Sequence, residues 1–252
     1  MTSWLVCPQR QVQPKLRLFC FAYAGGSAWI FRPWAKHLPE SVEVCAIELP
    51  GRGKRLIEAP VSDLSSLIQS LGPQILPSLD LPFAFFGHSL GALIAFELCR
   101  WLRHTSDISP AHFWASAASA PHLPAGSSHN SQTASPLMHT LPEADFINKL
   151  KHYQGTPSSV LNNAELMDII LPTLRADFTL LETYQYQSRD PLNVPVTGLW
   201  GNQDTVVSKA EVAAWQVHTP HFKLEAIAGD HFFIQQPLFV QKLLPTLRQL
   251  LH

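Results

Sequence analysis

Apolar residues recur along this chain in two alternating rhythms. Short runs rich in apolar residues at Leu16–Phe21, Val42–Ile47, 83–86, 111–116, 194–200 and Phe222–Ile227 read as strands, and those at 83–86 and 111–116 read as buried ones, the first by its length and aromatic content. Between them lie stretches at helical spacing. Leu64, Leu67, Ile68, Leu71, Ile75 and Leu76 mark one helix, with Pro73 as a break, and Ala92, Leu93, Ala95, Phe96, Leu98, Cys99 and Leu102 mark another. A further helix is expected to begin near Ala28, and a closing one to run over about residues 237–251. Strands alternating with helices predict an α/β fold, with a mostly parallel central sheet flanked by helices.

One region departs from this rhythm. Residues 121–135 are rich in Pro, Gly, Ser, His and Asn, which marks a long irregular loop. Residues 142–186 then return to helical spacing through Phe146, Ile147, Leu150, Leu166, Ile169, Leu174, Phe178 and Leu181. Long excursions within compact α/β domains are commonly functional lids. The expectation is one domain over residues 1–252, with a helical lid inserted at about 121–190.

Composition narrows the classes of function. With 46% hydrophobic and 15% charged residues the chain can bury a large core, and its 252 residues suit one α/β domain. The net charge of -1, with no basic run, argues against a nucleic-acid surface. The 4 cysteines have no C-x-x-C spacing, and Cys20, Cys45 and Cys99 fall in apolar segments, so neither a metal site nor a disulfide framework is expected. No signal-like N-terminus and no bilayer-length apolar run is visible, which leads to the expectation of a soluble cytoplasmic protein without membrane contact.

The chemistry gathers at strand ends. Gly87-His88-Ser89-Leu90-Gly91 lies between the apolar run at 83–86 and an apolar helix. In that setting G-x-S-x-G is a nucleophile elbow, a turn so tight that glycines must flank the exposed serine. The bare pattern carries little weight without its strand and helix. The run Leu16–Phe21 leads into Ala24-Gly25-Gly26, a loop able to supply one backbone N–H to an oxyanion hole. The candidate donors are Ala24 and Leu90, the residue after the nucleophile. Asp204 follows the run at 194–200, and His231 follows Phe222–Ile227, so the chain order is Ser89, Asp204, His231. A serine hydroxyl needs such a base to take its proton, and the base needs an acid to fix its tautomer. Asp190, Asp230 and Asp80 remain alternatives for the acid. Among the 12 histidines only His231 has this strand-loop context, and His88 is expected to point away from Ser89.

Taken together, Ala22-Tyr23-Ala24-Gly25-Gly26-Ser27, Leu49-Pro50-Gly51-Arg52-Gly53, Gly87-His88-Ser89-Leu90-Gly91, Leu174-Arg175-Ala176-Asp177-Phe178, Trp200-Gly201-Asn202-Gln203-Asp204 and Gly229-Asp230-His231-Phe232-Phe233 resemble the successive motifs of type II thioesterases. These are the free-standing editing hydrolases of nonribosomal peptide and polyketide synthases, α/β-hydrolases by fold. The resemblance spans about residues 16–250. The chain departs from the family at Leu90, Ala22 and Thr205, where Met, Pro and Pro are common. Leu90 offers only its backbone N–H, so none of these changes touches the triad.

The resemblance implies a monomeric enzyme that removes aberrant or stalled acyl groups from the phosphopantetheine arm of acyl or peptidyl carrier proteins, with no cofactor and no metal. Carrier proteins are generally acidic, so the loop bearing Arg52, Lys54 and Arg55 reads either as a solvated face or as a docking patch. Other readings stay open: a medium-chain acyl-carrier thioesterase of fatty-acid synthesis, a small-molecule carboxylesterase, or a non-catalytic carrier-binding protein.

Overall fold

The structure, a computed structural model, describes residues 3–124, 136–153 and 155–251. The expected loop at 121–135 therefore lies mostly outside the described residues. Its sheet is built from β1 (Leu5–Val6), β2 (Leu16–Phe21), β3 (Val42–Ile47), β4 (Phe83–His88), β5 (His112–Ser116), β6 (Val196–Gly201) and β7 (Phe222–Ile227). Their spatial order is β1-β3-β2-β4-β5-β6-β7, and every pairing is parallel except that of β1 with β3. This is the mostly parallel sheet that the alternating pattern predicts, in the α/β-hydrolase arrangement that the resemblance implies.

The period-two geometry of a strand explains why runs covered on both faces are mostly apolar at consecutive positions. On β4, Phe83 and Phe85 face one core while Ala84 and Phe86 face the other, and Phe113 and Trp114 on β5 divide in the same way. The first core is completed by helices α1 (Leu64–Ile75) and α2 (Leu90–Ser106). On the second face lie Phe31 and Trp34 and the C-terminal residues Phe239, Leu243 and Leu247. Asp63 caps α1 by accepting the Ser66 N–H at 2.7 Å.

The order of strands positions the site. The chain lays β3 on one side of β2 and then returns to lay β4 on the other, so β2 and β4 flank a topological switch point. Ligands bind at the carboxyl ends of strands beside such a point. With Phe21 paired to Gly87, the loop after β2 and the elbow after β4 emerge side by side.

Between β5 and β6 the chain forms α3 (Glu143–Tyr153), α4 (Ser158–Leu161) and α5 (Ala164–Glu182), which bury a small core of Met138, Phe146, Leu150, Met167, Leu174 and Phe178. The helical stretch expected at 142–186 is thus three helices, and it ends at Glu182. Two further helices follow, α6 (Lys209–Ala213), capped by reciprocal Ser208 and Glu211 bonds, and α7 (Leu244–Leu250).

Other expectations need correction. The closing helix does not run from residue 237: a 3-10 turn at Phe239–Leu243 precedes α7, which has a proline in its first turn. The helix near Ala28 is a 3-10 helix, Ala28–Lys36, with Pro33 inside it, where the missing N–H interrupts an α-helical ladder. Pro73 does not break α1 but sits in its last turn, after which Leu76–Ser78 continues as 3-10. Strand β1 was not expected, being only 2 residues long. Among the described residues no helix is long and apolar enough to cross a membrane.

Candidate active site

Ser89 sits between β4 and α2 with φ 53° and ψ -119°, a positive φ that a non-glycine residue adopts only where the surroundings enforce it. The surroundings do so here. A Cβ on Gly87 would lie 2.5 Å from Ala92 Cα, and one on Gly91 would collide with the carbonyl of Phe21, so neither neighbour admits a side chain. Ser89 N–H donates to Ser116 O at 2.8 Å, tying the turn to β5.

The other expected residues arrive on the loops after β6 and β7. Asp204 Oδ2 lies 2.8 Å from His231 Nδ1, and Asp204 Oδ1 accepts the N–H groups of Val206 at 2.7 Å and Val207 at 2.9 Å. A buried carboxylate holding three donors fixes Nδ1 as the protonated nitrogen, leaving Nε2 as the basic one. The alternative acids lie elsewhere: Asp80 pairs with Arg17, Asp230 accepts the Phe232 N–H, and Asp190 is exposed, its backbone carbonyl accepting from Arg103.

Ser89, His231 and Ala24 line one cavity of about 200 Å³. Its remaining walls are largely apolar and include Leu150 and Tyr153 of α3 and Phe178 of α5. Among the described residues Ser89 Oγ makes no hydrogen bond to His231; such contacts tighten when substrate binds. Ala24 N–H has no protein acceptor among the described residues, and Leu90 N–H, at the first position of α2, has no intrahelical one. Both expected oxyanion donors are thus unspent.

Two supporting arrangements were not legible in the sequence. His88 does point away from Ser89, but it is fully buried, with Nδ1 2.9 Å from Ser116 Oγ and Nε2 2.8 Å from His231 O. A carbonyl only accepts, so Nε2 donates to it and Nδ1 takes the Ser116 hydroxyl proton. Burial first, and the neighbouring His231 second, push the His88 pKa well below the usual range and keep the ring neutral. His88 therefore anchors the backbone of the residue expected to act as base.

The basic loop is the second. Arg52 and Arg55 are not on the surface as a docking patch or a solvated face would require; they are 6% and 5% exposed. Arg52 pairs with Asp177 of α5, while Arg55 pairs with Glu58 and stacks over Trp4 at 3.8 Å. Lys54 alone of the three is exposed. Nothing in the local charge pattern signals that Arg52 meets a residue 125 positions away.

Among the described residues the one group with metal-ligand geometry is Cys7, Glu43 and Cys45, on the sheet edge rather than at Ser89. Glu43 is already paired with Arg17 at 2.9 Å.

The elbow, the Asp204–His231 pair and the unspent N–H groups define a hydrolase of the α/β-hydrolase class. Residues 16–249 match the family model described as a thioesterase domain, and the chain belongs to the thioesterase family. It is 40% identical to the gramicidin S biosynthesis protein GrsT of Aneurinibacillus migulanus over 94% of this chain and 90% of that protein. Identity reaches 43% with a Brevibacillus parabrevis protein named linear gramicidin dehydrogenase LgrE, over 92% of this chain and 87% of that one. Among solved structures, the type II thioesterase BorB from the borrelidin biosynthetic cluster superposes with a TM-score of 0.84 at 31% identity, covering 100% of both chains. The chain is accordingly a thioesterase of the type II group.

Proposed function

We propose that this enzyme hydrolyses acyl thioesters held on the phosphopantetheine arm of acyl or peptidyl carrier proteins, clearing aberrant or stalled groups from a nonribosomal peptide or polyketide synthase. Ser89 Oγ attacks the thioester carbonyl while His231 Nε2 takes its proton, and Asp204 stabilises the imidazolium. The N–H groups of Ala24 and Leu90 hold the developing oxyanion. Collapse of the tetrahedral intermediate breaks the C–S bond, and His231 returns the proton to the departing thiol. Water, activated by the same histidine, then releases the acid from Ser89.

The observation that carries this reading is the 2.8 Å Asp204–His231 bond, because it orients the base whose ring lines the cavity shared with Ser89. Within a single domain, the described helical part of the insertion, α3 to α5, acts as a lid, its apolar residues Leu150 and Phe178 covering the acyl group. The chain's own residues suffice for both half-reactions, so no cofactor is called for. The enzyme works in the cytoplasm as a monomer, with the carrier protein as its partner and neither nucleic acid nor membrane involved.

The test is release of an acetyl or other short acyl group from a loaded carrier protein. Activity on carrier substrates with no turnover by Ser89→Ala supports the reading. A strong preference for oxygen esters in kcat/KM overturns it in favour of a carboxylesterase.

A further inference from the structure

Arg52 and Asp177 form a bidentate ion pair at 2.8 and 2.7 Å, with side chains only 7% and 1% exposed. Burying two charges costs about as much as their attraction returns, so stability alone is a poor account of the pair. Its other bonds are more informative. Asp177 Oδ2 accepts the Gly25 N–H at 2.7 Å, and Arg52 Nη1 donates to Gly26 O at 3.2 Å. One residue of the pair comes from α5, and the other from the loop after β3. They converge on the two glycines that follow Ala24.

That convergence bears on the direction of the Ala24 N–H. The Gly26 N–H donates to Tyr23 O at 2.8 Å, which closes a tight turn. Tyr23 C=O and Ala24 N–H belong to one planar trans peptide, so fixing the carbonyl on Gly26 turns the N–H the opposite way. The turn survives only if Gly25 and Gly26 hold their places. Gly25 has φ +76°, and a Cβ there would lie 2.5 Å from Leu174 of α5, so the loop and the helix are in close contact as well. Because Asp177 takes the Gly25 N–H and Tyr23 O takes that of Gly26, Ala24 keeps the N–H that can face a substrate.

We propose that Arg52 and Asp177 are positioning residues for the oxyanion hole: together they clamp the Gly25-Gly26 turn so that the Ala24 N–H is aimed, and they make that aim depend on the seating of lid helix α5. Thr173 Oγ1, one turn earlier on α5, donates to Gly51 O at 2.7 Å and seats the helix on the Arg52 loop. The proposal rests on the reading of Ser89 and Ala24 given above.

A positioning role and a structural one separate in a variant that removes the charges together. Arg52→Met/Asp177→Leu leaves neither member of the pair as an unpaired charge, but it frees the Gly25 N–H and Gly26 O and takes a cation from beside the buried Glu48, so its thermal midpoint is expected to fall and kcat is read well below that midpoint. It lacks the acceptor for Gly25, and its kcat on a short acyl group loaded on a carrier protein is expected to fall about 10- to 100-fold, with KM within about twofold. Wild-type kcat in the folded double variant overturns the clamp. Arg52→Lys keeps the charge but loses the planar fork, and is expected to show the same kcat loss. Should the double variant fail to fold, Arg52→Lys decides, and full kcat in that variant counts against the proposal. A wild-type protein that releases no acyl group, or a Ser89→Ala variant as active as wild type, refutes the thioesterase reading itself and is recognisable as a different result.

Discussion

At the scale of single residues, the account gives each polar group of the site one task. Asp204 accepts three donors and so stays an acceptor for His231 Nδ1–H. Asp204→Asn reverses the tautomer and is expected to lower kcat on the order of 10⁴-fold, with little change in thermal midpoint. Normal turnover in that variant would move the acid to another residue. His88 has a structural task, and His88→Ala leaves the buried His231 carbonyl unpaired. Urea denaturation is expected to register a loss of about 1–3 kcal/mol. The positions proposed for the triad could be picked out because each follows a recognisable strand, and their order along the chain is informative. Arg52, Asp177 and the His88 bonds were not legible, because partners distant in sequence leave no local pattern.

At the scale of elements, the elbow depends on contacts that exclude side chains. Gly91→Ala would drive a methyl group into the backbone of Phe21 and Ala22, and is expected to cut soluble yield or shift the denaturation midpoint strongly downward. A variant with wild-type stability would mean that the turn is looser than described. The six parallel strands could be read from the sequence because each is a short run rich in apolar residues: β4 is covered on both faces, whereas in β7 Lys223 and Glu225 alternate with apolar residues on a partly exposed strand. Strand β1, with 2 residues, carries too little pattern to be seen. The 3-10 segments at Ala28–Lys36 and Phe239–Leu243 share the apolar spacing of an α-helix, and only the backbone bonds tell them apart.

At the scale of the whole molecule, buried histidines make stability depend on pH. Burial, with Lys223 nearby, lowers His112 to about 4, and burial, with His122 and Arg100, lowers His218 to about 4. Their pKa values when unfolded lie near 6.5, so the unfolded chain takes up protons first as the pH falls. Well above pH 6.5 both groups are neutral in either state and without effect. Between 6.5 and 4 each removes up to about 1.4 kcal/mol of stability per pH unit. The denaturation midpoint is therefore expected to fall from pH 7 to pH 5, and a flat profile would contradict the burial of these rings. On the same scale, the burial of Arg52 and Arg55 takes two of the three basic-loop residues away from any carrier-facing surface.

The central claim is that the cavity shared by Ala24, Ser89 and His231 hydrolyses carrier-bound thioesters. The most direct measurement is the release of a short acyl group from a phosphopantetheine-loaded carrier protein, compared with the same acyl group as a coenzyme A thioester and as an oxygen ester. The account predicts the highest kcat/KM on the carrier and no turnover by Ser89→Ala; a preference for the oxygen ester, or release undiminished by Ser89→Ala, would contradict it.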